Sequence, residues 1–74
     1  MLQTIKEPDP KLHSRFISVT KGMSGFFAVQ YWWNPDLGGF WEPWDTGLGR
    51  YANEQSAIDE AKMWAEEENL PFCL

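Results

Sequence analysis

Glu42 and Asp45 lie within the run Phe40-Trp41-Glu42-Pro43-Trp44-Asp45, and two carboxylates beside flat rings are the parts from which sugar-cleaving sites are built. Such a site also needs a cleft that holds the carboxyls at a set separation, and a chain of 74 residues has little room for one. His13 is the single histidine and has no sequence neighbours that pair a nucleophile with an orienting acid, so it reads as a surface residue. Cys73, between Phe72 and Leu74, reads as a small apolar packing residue, since nothing nearby in the sequence would lower its pKa. One histidine and one cysteine fall short of a zinc site. Gly47-Leu48-Gly49 reads as a turn with Arg50 beside it, because it does not sit between a strand and the start of a helix as a phosphate loop does. The expectation is therefore no enzyme, no catalytic residue, no metal and no cofactor.

Two other constellations fit binding better. Trp32, Trp41 and Trp44 belong to runs rich in aromatic residues, and aromatic side chains that escape burial serve as interface anchors. From Glu54 to Glu68 the chain carries six carboxylates and one lysine. At helical spacing, Asp59, Glu60, Glu66 and Glu67 form a negative face that can steer the chain toward a basic surface and compete with nucleic acid for it. The candidate partner-binding set is Trp32, Trp41, Trp44, Asp59, Glu60, Glu66 and Glu67. The simpler readings are aromatics buried by the rest of the chain and a solvated surface helix.

The elements that must position these residues can be read from the patterning. In Arg15-Phe16-Ile17-Ser18-Val19-Thr20-Lys21, Ile17 and Val19 alternate with Ser18 and Thr20, as in a half-buried strand. Gly22-Met23-Ser24-Gly25 makes a turn into a second run from Phe26 to Trp33, giving a hairpin. Asn34 to Gly39 is dense in turn formers and leads to a third run at Phe40, which Pro43 confines to a sheet edge. Arg50-Tyr51 leaves room for a fourth, short strand. Asn53 then caps a helix from about Glu54 to Asn69, with Ala57, Ile58, Ala61, Trp64 and Ala65 on one stripe and Pro71 beyond its end.

The predicted fold is α+β: an antiparallel meander of three strands, with room for a fourth, and one C-terminal helix packed on one face. Residues 1–14, with Pro8-Asp9-Pro10 and no apolar period, read as a flexible N-terminal arm, and residues 15–74 as a single domain. The second strand presents Phe27, Val29, Tyr31 and Trp33 on one side and Phe26, Ala28, Gln30 and Trp32 on the other; which side the helix covers stays open.

Composition narrows the partner. The hydrophobic share of 43% and aromatic share of 16% are those of a chain that folds. The net charge of −5 divides into +2 for Met1 to Lys21 and −7 for the remainder, which opposes direct binding to a phosphate backbone. Glu7 and Asp9 interrupt the N-terminal stretch where a signal peptide needs an apolar run, and no segment approaches the roughly 20 apolar residues of a membrane span. A single cysteine fits a cytoplasmic chain, in the host cytoplasm if the source is a virus.

Gly39-Phe40-Trp41-Glu42, then Gly49-Arg50-Tyr51, Asn53 and Trp64, superficially resemble the tryptophan signature of WW domains, but a helix stands where that family has its third strand, so proline-rich ligands do not carry over. The strand order followed by a helix with Ala57, Ala61, Trp64 and Ala65 is similar to AP2 domains and integrase arm-binding domains, without their basic DNA contacts. Small size, acidity and the lack of a catalytic set are similar in type to viral inhibitor proteins, anti-CRISPR proteins among them. The expected function is a non-enzymatic protein-binding module, an inhibitor from a virus or mobile element that occludes a basic nucleic-acid-binding surface of a host complex. The alternatives are a structural protein that forms a homodimer or docks through an aromatic sheet face, and an aromatic platform for a neutral small ligand.

Overall fold

The computed structural model describes residues 1–74 and shows an α+β domain. The strands are β1 (Gln3–Ile5), β2 (Arg15–Gly22), β3 (Gly25–Asn34), β4 (Phe40–Thr46) and β5 (Pro71–Cys73), and the helix is α1 (Glu54–Glu68). The sheet has five strands in the order β1-β5-β2-β3-β4, rather than the meander of three or four expected from the sequence. The β2-β3-β4 meander is there, antiparallel throughout, and its hairpin closes where Gly22 pairs with Gly25. Tyr51 adds only a bridge to Phe26 and not a fourth strand.

The two further strands come from the chain ends. After α1 the chain lays Pro71–Cys73 parallel to β2, with Phe72 opposite Ile17, and Gln3–Ile5 then pairs in parallel with β5. The N-terminal segment read as a flexible arm thus supplies the outermost strand. The physical reason is that β2 has a free edge once β3 has taken its other side, and backbone donors and acceptors there gain partners from any extended segment the helix delivers. Two hydrogen bonds, from the N–H groups of Leu12 and His13 to the Asp9 carbonyl, turn the chain back toward β2.

Helix α1 begins and ends on asparagines. The Asn53 side chain accepts from the Ser56 N–H at 3.0 Å, and Glu54 sits in the first turn where the helix dipole favours it. Asn69 takes the left-handed conformation at φ 56°, the Leu70 N–H closes on the Ala65 carbonyl at 2.8 Å, and Pro71 cannot continue the helix.

The core lies between α1 and the sheet: Ile17, Ala28, Ile58, Ala61, Ala65 and Phe72, with Leu2, Val19, Trp64 and Leu70 at its margin. The helix therefore covers the Phe26, Ala28, Gln30 and Trp32 side of β3. Ala28 is the one small residue of that strand's aromatic run, and it meets the alanines of α1, which lets helix and sheet approach closely. Trp64, expected in the core, is half-buried at its edge. The opposite sheet face buries itself by ring packing: Phe16 stacks on Tyr31 with centroids 5.0 Å apart and meets the Trp41 edge at 4.9 Å, while Trp41 contacts Trp33 at 5.1 Å.

Candidate functional site

Strand β4 lies one strand beyond the cover of α1, which packs on β2, β3 and β5 and makes almost no contact with β4. The helix-facing side of β4 is consequently bare. Phe40 and Glu42 point to that side, opposite Asn34 and Trp32. Gln30 pairs with Asp45 but Tyr31 with Pro43, so Trp44 is an extra residue, and this bulge turns both Trp44 and Asp45 toward the helix side. Trp44 reaches Trp32, with ring centroids 5.6 Å apart, and Trp44 stays 62% exposed.

Besides Trp44, two side chains hold Trp32. Its indole N–H donates to the Gln30 side-chain oxygen at 2.6 Å, Gln30 itself is buried, and the Arg15 guanidinium lies 4.8 Å above the Trp32 ring. The Asn34 side-chain amide donates to Glu42 at 3.4 Å beside this group.

Where β4 ends, a cleft of about 320 Å³ opens between the loop and α1, lined by Thr46, Gly47, Leu48, Glu60, Met63, Trp64 and Glu67. Glu60 forms part of its wall. Its Oε2 accepts from the Leu48 N–H at 3.2 Å, while its Oε1 is closed off from solvent with no hydrogen-bond partner. A Cβ at Gly47 would lie 2.5 Å from Glu60 Oε2, so a side chain there would displace this carboxylate. Tyr51, a half-buried residue, lies near this carboxylate: desolvation first, then the charge of Glu60, raise its phenol above the usual 10.0.

The seven candidate binding residues do not form one surface. Trp32 and Trp44 meet on the helix-facing side of the sheet, and Glu60 and Glu67 line the cleft. Trp41 belongs to the opposite sheet face, packed on Phe16 and Trp33, because strand alternation separates it from Phe40 and Trp44. Asp59 and Glu66 lie on the outward side of α1; the Gln55 side-chain amide donates to Asp59 at 3.0 Å. Glu60 is not a free steering charge, since it is half-buried and holds the loop. Two contributors escaped the sequence reading, Leu48 and Met63, both largely exposed. A leucine between two glycines of a turn, and a methionine within the polar stripe of an acidic helix, were the available signals.

Cys73 sits apart from this region, in β5. The Cys73 thiol is buried and donates to the Lys6 carbonyl at 3.4 Å; burial, then the nearby Glu7 charge, raise it above its usual 9.0. No group of three His, Cys, Asp or Glu side chains is placed to hold a metal ion. No helix is long and apolar enough to cross a membrane. Both raised groups make the same stability prediction. The unfolded chain ionises first, so stability holds below pH 9 and falls as pH rises through the thiol and then the phenol range. Urea midpoints should drop as pH rises above 9, and Cys73→Ala should remove the earlier part of that drop; a flat profile would show that neither group is shielded in the fold.

Compared with known protein families, curated proteins and solved structures, the chain matches none.

Proposed function

We propose that the chain is a non-enzymatic protein-binding module that occupies a basic, nucleic-acid-binding surface of a partner complex, as an inhibitor encoded by a virus or mobile element does. The observation that carries this reading is where the positive charges go. Of the six basic residues, Arg15, Lys21, Arg50 and Lys62 lie over the rings of Trp32, Phe26, Phe27 and Phe72. Arg50 also donates to the Gly47 carbonyl at 2.8 Å. Lys62, the one lysine of α1, places its Nζ 5.8 Å from the Phe72 ring centroid, on β5. With six carboxylates against that one lysine, α1 carries an excess of negative charge, which favours association with a basic surface and disfavours a polyanion.

The test compares the intact chain with an Asp59→Lys, Glu66→Lys, Glu67→Lys variant in recovery of partners from a host lysate, with double-stranded DNA added as competitor. The reading expects a complex held by the intact chain alone and released by DNA and by salt. For the purified complex, charge reversal should slow association about tenfold or more at low salt and flatten its salt dependence. Equal recovery by both chains, or recovery of nothing but a second copy, overturns it.

A further inference from the structure

The turn from β3 to β4 carries a residue that the fold does not call for. Leu37 adopts φ 56° and ψ 35°, the left-handed region that a bulky side chain enters only at a cost and that glycine or asparagine fills more readily. The one other non-glycine residue with positive φ is Asn69, whose conformation ends α1. Leu37 has no such task for its side chain, which is 98% exposed within a stretch, residues 35–38, that is exposed throughout. A strained backbone and an apolar side chain wholly in water thus coincide at one position, and asparagine there would relieve both. Leu48 is equally exposed, but its φ is not positive and its N–H is bound to Glu60.

The base of this turn is fastened on both sides. The Asn34 side-chain oxygen accepts from the Asp36 N–H at 2.9 Å, and the Asn34 amide reaches Glu42 at 3.4 Å. The Asp36 carbonyl accepts from the Gly39 N–H at 3.0 Å, Pro35 holds its own φ at −77°, and Gly39 lies so close to the Trp33 ring that no Cβ would fit between them. Gly38, next to Leu37, has nothing within 4 Å of its missing Cβ. A fastened base beneath an open tip is a loop ordered before it meets anything, which reduces the ordering entropy lost on association.

We infer that residues 34–39 form a preorganised finger that seats the Leu37 side chain in an apolar pocket of a protein partner. The pocket admits one leucine side chain and presents hydrogen-bond donors at its rim to Asp36, the one charged residue of the turn. A lipid surface fits less well, because the turn offers a single apolar side chain with a carboxylate beside it and no lysine or arginine. The inference rests on the proposed function for the existence of a protein partner, not for its basic surface, and goes beyond it in naming the contact that sets dissociation. The charges of α1 act on encounter.

The probe is the full chain synthesised with photo-leucine in place of Leu37 and irradiated in the host lysate; a chain with photo-leucine in place of Leu48 gives the background of an exposed leucine. The first chain should crosslink one protein, suppressed by excess unmodified chain but not by the same excess of a Leu37→Asn variant. Leu37→Asn should melt at the parent temperature or a few degrees above it, since asparagine tolerates the left-handed region. In the purified complex it should speed dissociation about tenfold or more and change association less than about threefold, the reverse of charge reversal on α1. A clearly lower melting temperature for Leu37→Asn would show that the leucine serves the fold and overturns the finger. Equal crosslinking from both positions, crosslinks to lipid or to a second copy of the chain, or none that the unmodified chain suppresses, overturn it as well. If a complex that DNA releases is recovered without a crosslink from position 37, the finger fails and the proposed function stands. If the crosslinked protein is indifferent to DNA and to charge reversal, the finger stands and the basic-surface reading fails.

Discussion

Replacing Phe72 by alanine is expected to leave most of the chain unfolded at 37 °C. Phe72 is only 2% exposed and is the largest fully buried side chain, in contact with the cluster of Ile17, Ala28, Ile58, Ala61 and Ala65. It also sits in the middle of β5, opposite Thr4 on one side and Ile17 on the other. Truncating a buried phenylalanine costs about 3–5 kcal/mol, while a domain of this size holds only about 4–11 kcal/mol in total and small cores often supply the lower figure. β1 has no sheet partner other than β5, so loosening Phe72 releases both strands and uncovers Ile17. Circular dichroism with a urea titration checks this; Phe72→Leu, which keeps much of the volume, should cost about 1–2 kcal/mol and remain folded. A native-like melt for the alanine variant would mean that β5 lies outside the cooperative unit.

That the heaviest core residue sits in a three-residue strand near the chain's end explains what the sequence conceals. Strands announce themselves by a period of two, and neither Gln3-Thr4-Ile5 nor Pro71-Phe72-Cys73 is long enough to display one. Their pairing is decided by the free edge of β2, a tertiary circumstance. The β2–β3 hairpin, the turn after Asn34 and both ends of α1 are legible because each rests on local chemistry: glycines at the turns, an asparagine cap, a proline stop. The covered side of β3 was also within reach, since Ala28 in an aromatic run matches the stripe of Ala57, Ala61 and Ala65. The candidate site divides along the same line. Counting alternation places Phe40 and Trp44 together and away from Trp41, as the structure has them. The bulge that adds Asp45 to their side, and the bond that withdraws Glu60 from solvent to hold Leu48, depend on contacts between elements and leave no periodic trace.

The loop that forms the cleft wall depends on one backbone position, and this gives the second large effect. Gly25→Ala should lower stability by about 3 kcal/mol, equivalent to a melting temperature roughly 15 °C lower for a domain of this length. Gly25 has φ 121°, a conformation open in practice only to glycine. A Cβ there would lie 2.5 Å from the Tyr51 carbonyl oxygen, a backbone atom that cannot rotate aside. That oxygen accepts from the Phe26 N–H at 2.7 Å, and the Tyr51 N–H donates back to the Phe26 carbonyl at 2.9 Å. Alanine must therefore either adopt a strained φ and break both bonds or push residues 47–52 off the hairpin. Gly38 is the control: its φ is also positive, at 87°, but nothing lies within 4 Å of its missing Cβ, so Gly38→Ala should cost only about 1 kcal/mol. Equal losses of stability at the two positions would show that the Phe26–Tyr51 bridge does not hold the loop.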